Sequence, residues 1–220
     1  METNKYFYND IPKLKSIIKE KIKPNIILEF ESCLLLEKKY KNTVIHNFAN
    51  NERPGGPTSS FTDDGLLIHQ KVNSSTQEDI IIRHYQKNLL LPKKYYPIID
   101  NSKLGSEALL YSKCNDLPSI ITLPAINTPN FKNKKTKQSL INRILLMLYV
   151  SSLYSDTLIT GLWGCGAFGM QIEDLVDCWH DALNESKFYP KNIIFAILLD
   201  GYTKQYNKDY LIDLFNKLKQ

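Results

Sequence analysis

The sequence predicts an α/β domain in which helices pack on a mixed sheet. From residue 108 onward, apolar runs of strand length alternate with longer amphipathic segments, the pattern of a sheet covered by helices. The 220 residues are 43% hydrophobic, which suits one domain spanning 1–220 with a sizeable core, and neither an internal repeat nor a linker interrupts them. Two Gly-rich segments, 47–57 and 163–169, each close a predicted strand, and sheets of this class bind ligands at the carboxyl ends of strands.

Taken in order, Pro12–Lys23 places Leu14, Ile17, Ile18 and Ile22 between lysines and reads as an amphipathic helix stopping before Pro24. Ile26–Tyr40 is a second helix or a strand followed by a helix. Thr43–Phe48 is a short strand. Glu52–Ser75, rich in Gly, Pro, Ser, Thr and Asp, reads as a long loop. Thr76 is placed to cap a helix from Gln77 whose apolar face is Ile81, Ile82, Tyr85 and Leu89. Ala108–Ser112 and Ser119–Ile126 are strands. Lys135–Tyr154 is a long helix that turns Leu140, Ile144, Leu145, Leu148 and Leu153 inward. Strand Thr157–Leu162 ends at Trp163. Helix Ile172–Asn184, strand Asn192–Leu199 and helix Lys208–Lys219 complete the chain.

The formal net charge of +5 is spread over runs such as Lys132–Lys137. That suits a solvated face or an anionic ligand. The lysine runs carry no aromatic stacking pattern, so nucleic acid is not an expected partner. Cys33, Cys114, Cys165 and Cys178 lack metal-site spacing and read as free thiols of a reducing compartment. The polar start and the short apolar run Ile144–Val150 give no signal peptide and no membrane span. An intracellular protein, cytoplasmic or nuclear, is expected, with no membrane partner. His46, His69, His84 and His180 share no spacing and take structural roles; no metal and no cofactor is expected.

The chemistry concentrates in the two Gly-rich segments. In Gly164-Cys165-Gly166-Ala167-Phe168-Gly169, glycines let backbone N–H groups approach a phosphate, and a following helix N-terminus favours a diphosphate. The bland alternative is a tight turn that needs positive φ. The same residues match the Gly-x-Gly-x-x-Gly dinucleotide pattern, but no acid closes the next strand, since Asp181 and Glu185 fall on or just after the helix. Upstream, Asn47-Phe48-Ala49-Asn50 precedes Pro54-Gly55-Gly56-Pro57 and then Gln77-Glu78-Asp79. Asn side chains can bond ribose hydroxyls or a purine edge. Glu78 and Asp79 open a helix, where acids are also at home as a solvated first turn.

These motifs, in this order over roughly residues 26–200, resemble the microbial-type poly(ADP-ribose) glycohydrolases. The similarity continues through Tyr111-Ser112, Ile120–Asn127 and Ile194–Leu198. The resemblance implies a three-layer α/β/α macrodomain that binds ADP-ribose. Gly164–Gly169 would be the diphosphate loop, with Phe168 near the distal ribose. Gly55-Gly56 would belong to the catalytic loop, and Asn47 and Asn50 would lie beneath the ribose. Of the family's Gln-Glu-Glu triplet, here Gln77-Glu78-Asp79, the first acid contacts ribose hydroxyls and the second protonates the leaving oxygen, then activates water. Catalytic Glu78 and Asp79 are thus expected to work on ADP-ribose, poly(ADP-ribose) or ADP-ribosylated proteins. The sequence departs from the pattern in three places. Asp79 stands where the family has Glu, Pro57 where it has a third Gly, and the spacer Pro57–Thr76 is 20 residues, longer than usual. The departures bear on turnover more than on binding. The alternative is a weak or inactive macrodomain that binds or sequesters ADP-ribose or a related nucleotide.

Overall fold

The computed structural model describes residues 2–11, 23–71, 76–85, 89–101, 103–113, 117–126, 133–186, 188–199 and 203–219. The helix expected over 12–23 falls almost wholly outside them. The chain begins with a strand that its polar composition does not announce, β1 (Glu2–Phe7). The ambiguous stretch 26–40 is a strand and then a helix: β2 (Asn25–Glu29), then α1 (Cys33–Lys39), whose N-cap Ser32 accepts the Leu34 N–H. Next come β3 (Thr43–Ala49) and α2 (Gln77–Tyr85).

The expected loop between them is partly folded, a correction to the sequence reading. A 3₁₀ turn, Gly56–Thr58, leads into a hairpin of β4 (Ser59–Phe61) and β5 (Leu67–Gln70). Turn residues dominate its composition and hide strands this short; Phe61, 4% exposed, anchors it.

The second half follows the expected alternation: β6 (Ala108–Lys113), β7 (Ser119–Pro124), α3 (Lys134–Tyr154), β8 (Thr157–Thr160), α4 (Ile172–Glu185), β9 (Asn192–Ala196) and α5 (Lys208–Asn216). Strands β7, β8 and β9 stop two or three residues before their apolar runs do. There the chain leaves the ladder to build loops.

Seven strands form one mixed sheet in the order β1-β6-β7-β3-β8-β9-β2. Strand β6 is antiparallel to both neighbours, and β7, β3, β8, β9 and β2 are mutually parallel. Successive strand residues alternate between two cores. Val44, Ile121, Leu158 and Ile193 meet helices α3, α4 and α5, with Leu145, Trp179 and Phe215. Ile45, Ile120, Ile159 and Ile194 meet α1 and α2, with Leu36, Ile81, Ile82 and Tyr85. Helices therefore cover both faces, giving three layers, α/β/α. No described helix is long and apolar enough to cross a membrane.

Candidate functional site

Strand β3 is the spine of the site. It pairs with β7 as far as Ala49 but with β8 only over Thr43–Ile45. Beyond Ile45 the two strands part, and Gln77 fills the gap. Its Oε1 accepts the Phe48 N–H at 2.9 Å and its Nε2 donates to the His46 carbonyl at 2.7 Å. One side-chain amide thus satisfies two backbone groups that the splayed ladder leaves open. It also docks the first turn of α2 on the strand end, which brings Glu78 and Asp79 to the carboxyl-terminal edge of the parallel strands.

Both acids are buried, Glu78 at 5% and Asp79 at 1% exposure, so the solvated first turn is excluded. Glu78 reaches under the loop that follows β3. Its Oε2 accepts the Asn50 N–H at 3.1 Å and its Oε1 the Gly55 N–H at 3.3 Å. Gly55 has φ +63, and a Cβ there would lie 2.5 Å from Ser59 Cβ, so only glycine presents this amide. Burial pushes the Glu78 carboxyl up to about 8, against the pull of these two amides and of Asn47; the charge of Asp79 adds to the rise. Glu78 is therefore largely protonated at neutral pH.

The stability of the protein should register this. The folded state keeps the Glu78 proton to about 8, whereas an exposed carboxyl loses it near 4.5. Stability is lost as pH rises between those values. Between pH 6 and 8.5 this one group removes about 2 kcal/mol. Melting curves of the wild type should fall over that range, and Glu78→Gln should lack this component. Equal slopes in the two proteins would show that the carboxyl is not held neutral.

Asp79 is engaged differently. It is the N3 residue of a reciprocal cap: Thr76 Oγ1 accepts the Asp79 N–H at 3.2 Å, and Asp79 Oδ2 accepts the Thr76 N–H at 3.3 Å as well as its hydroxyl. The Thr58 hydroxyl donates to Asp79 Oδ1 and also lies 2.9 Å from the Gly55 carbonyl. Gln70, from the hairpin, donates to the Asp79 carbonyl at 2.8 Å. Two of the departures noted in the sequence, the shorter acid and the long spacer, are thus one structural unit. The inserted segment supplies Thr58, Gln70 and Thr76, and together they hold the shorter acid.

The other expected residues gather around Glu78. Asn47 is fully buried; its Nδ2 donates to Thr122 Oγ1 at 3.4 Å, and its Oδ1 has no partner among the described residues. Asn50 Oδ1 accepts the N–H groups of Glu52 and Arg53, so this oxygen shapes the turn. Ala49 and Gly56 are buried. Tyr96 was not foreseen. Its hydroxyl is buried without a described partner, within electrostatic reach of Glu78, and burial raises it well above its ordinary value. Nothing in the local sequence marks it.

The second Gly-rich segment closes the neighbouring strand end. Trp163 is fully buried and packs edge-on to His46 at 4.8 Å, and His46 in turn packs on Phe48 at 5.0 Å. Burial pushes His46 down to about 3, so it is neutral. Nε2 faces the Leu123 carbonyl at 3.2 Å and must carry the hydrogen, leaving Nδ1 to accept from Thr160 at 3.0 Å. This one side chain ties β7, β3 and β8 together beneath the loop, a structural role as expected. Gly164 has φ +83 with Ala125 and Met170 at 3.3 Å from a Cβ position, so the turn requirement is real. The segment also offers donors. Cys165 and Gly169 turn their amides inward to Leu162 and Gly166, whereas those of Gly166, Ala167 and Phe168 have no acceptor among the described residues. Consecutive free amides ahead of α4 are a nest of donors, the kind of backbone that can take an anion. Phe168 and Asn50 line one cavity of about 500 Å³, which joins the two loops. Among the described residues no His, Cys, Asp or Glu group could hold a metal ion.

No protein-family profile matches the chain, and no curated protein matches it. Solved structures do. Poly(ADP-ribose) glycohydrolase from Deinococcus radiodurans in complex with ADP-ribose superposes at a TM-score of 0.67 with 17% identity, over 98% of this chain and 93% of that one. A second crystal form of that complex gives 0.69 at 16%, over 99% and 94%. The Thermomonospora curvata enzyme gives 0.67 at 16%, over 98% and 85%. This likeness establishes the architecture: nearly the whole chain has the fold of the microbial poly(ADP-ribose) glycohydrolases.

Proposed function

We propose that the protein binds ADP-ribose across the ends of β3 and β8 and hydrolyses the bond by which its distal ribose is attached to poly(ADP-ribose) or to protein. The observation that carries this reading is Glu78, a buried carboxyl pushed up to about 8 and aimed by two backbone amides of the loop after β3. Gly166, Ala167 and Phe168 hold the diphosphate through their N–H groups, and Phe168 packs on the distal ribose. Glu78 gives its proton to the leaving ribose oxygen as the glycosidic bond breaks. As carboxylate it then takes a proton from the water that attacks the oxocarbenium-like carbon. A raised carboxyl suits both steps, since it starts protonated and ends as a competent base. Asp79 is a positioning residue, holding Thr58 and through it Gly55.

One observation favours a second reading, a binder without turnover: the acid that the family uses for proton transfer is here Asp79, consumed by its cap and by Thr58. Turnover of poly(ADP-ribose) and of mono-ADP-ribosylated protein, measured side by side with calorimetry of free ADP-ribose, separates the two. Release of ADP-ribose from either substrate supports the hydrolase. Binding with no release leaves the binder, and absence of binding overturns both.

A further inference from the structure

Arg143, on α3, is 1% exposed and among the largest fully buried side chains. Its Nη1 donates to the Pro124 carbonyl at 2.8 Å and its Nη2 to Asn101 Oδ1 at 2.8 Å; its Nε has no partner among the described residues. Both acceptors are neutral, and among the described residues no ion pair involves Arg143. Burial lowers it to about 10, opposed by the charge of Glu107, so it remains a cation at neutral pH. A guanidinium withdrawn from water without a contacting anion is costly. Arg, with its planar fork, is the side chain of choice where a phosphate is recognised.

Arg143 forms part of the wall of the cavity that Asn50 and Phe168 share. The Asn50 N–H holds Glu78 and Phe168 ends the amide nest, so this cavity begins where the nest and the acid end. Its volume of about 500 Å³ is that of a small-molecule site. Lys103 and Lys135 also line it, with Asp100 and Glu52 as the acids. Asp100 lies 3.5 Å from Lys103, which leaves Arg143 and Lys135 against the exposed Glu52 in the lining and, for Arg143, the buried Glu107 outside it.

We propose that this cavity is a second anion subsite, built on Arg143, which takes a phosphate or pyrophosphate borne by the group that leaves the distal ribose. Its role in the reaction rests on the function proposed above; its existence as an anion site does not. Phosphate-bearing leaving groups are thereby preferred over uncharged ones, because a guanidinium hydrogen bond to a phosphate is charge-assisted and stronger than one to a neutral group.

The test titrates inorganic pyrophosphate into protein already saturated with ADP-ribose, by calorimetry. Binding should persist under saturation. It should weaken about tenfold or more in Arg143→Gln and about threefold in Lys135→Ala, an exposed position that does not threaten folding. If Arg143→Gln fails to fold, the double variant Lys103→Ala, Lys135→Ala decides by the same loss. Displacement of pyrophosphate by ADP-ribose, or unchanged binding in the folded variants, overturns the subsite. Arg143-dependent pyrophosphate binding in a protein that does not bind ADP-ribose would sink the proposed function and leave the subsite. Normal ADP-ribose turnover without pyrophosphate binding does the reverse.

Discussion

Replacing Glu78 by Gln is expected to lower turnover by about 10³-fold while leaving ADP-ribose affinity within about tenfold, or 1.4 kcal/mol. The substitution keeps the size of the side chain and an oxygen for one of the Asn50 and Gly55 amides, but removes the transferable proton. The wild-type pH profile carries the same information. In the proposed mechanism Glu78 is the acid of the first step, and burial places it near 8, so the rate should hold through neutral pH and fall above that value. A Glu78→Gln protein with wild-type turnover would remove Glu78 from the chemistry. A profile without a fall above pH 8 would show that the acting acid is another group.

The second large effect belongs to Asp79, and it should separate structure from chemistry. Asp79→Ala removes the reciprocal cap with Thr76 and the carboxylate that accepts from Thr58, whose hydroxyl keeps only the Gly55 carbonyl. Losing a cap costs about 1 kcal/mol, and losing a hydrogen bond to a carboxylate about 1.5–3 kcal/mol. A destabilisation of about 2–4 kcal/mol is therefore expected in denaturant unfolding, together with a loss of turnover as Gly55 loosens. Asp79→Asn keeps an acceptor for Thr58 and should retain turnover within about tenfold, with the same fall above pH 8. A folded Asp79→Asn protein that has lost turnover by 10²-fold or more would transfer the proton from Glu78 to Asp79.

The cap itself is legible in the sequence: Thr76-x-x-Asp79 is the capping-box spacing, and it places both residues at the start of α2. The partner that turns the capping acid into a clamp is not legible. Thr58 lies 21 positions away, in a stretch whose turn-rich composition reads as loop, and it meets Asp79 only because the hairpin folds back on the helix start. Gln77 shows the same limit. Its amide bonds His46 and Phe48 because β3 and β8 part at that point, and strand splay leaves no mark in a hydrophobic pattern. Strand β1 was missed because a polar edge strand has one neighbour to bury against and little need for apolar residues.

From residue 108 onward the alternation of apolar runs determined an α/β class with helices packed on a mixed sheet, because burial on a sheet imposes a period that composition must follow; the three layers were implied by the family resemblance. The spacing of glycines determined where two loops close strand ends. Only the tertiary structure decided that those ends are neighbours, that Glu78 is buried and protonated while Asp79 is held by the inserted hairpin, and that Arg143 lines a cavity and makes no ion pair among the described residues. Protonation and hydrogen-bond partnership depend on which distant groups exclude water from a side chain: burial keeps Glu78 protonated against the pull of the Asn50 and Gly55 amides, 28 and 23 residues away.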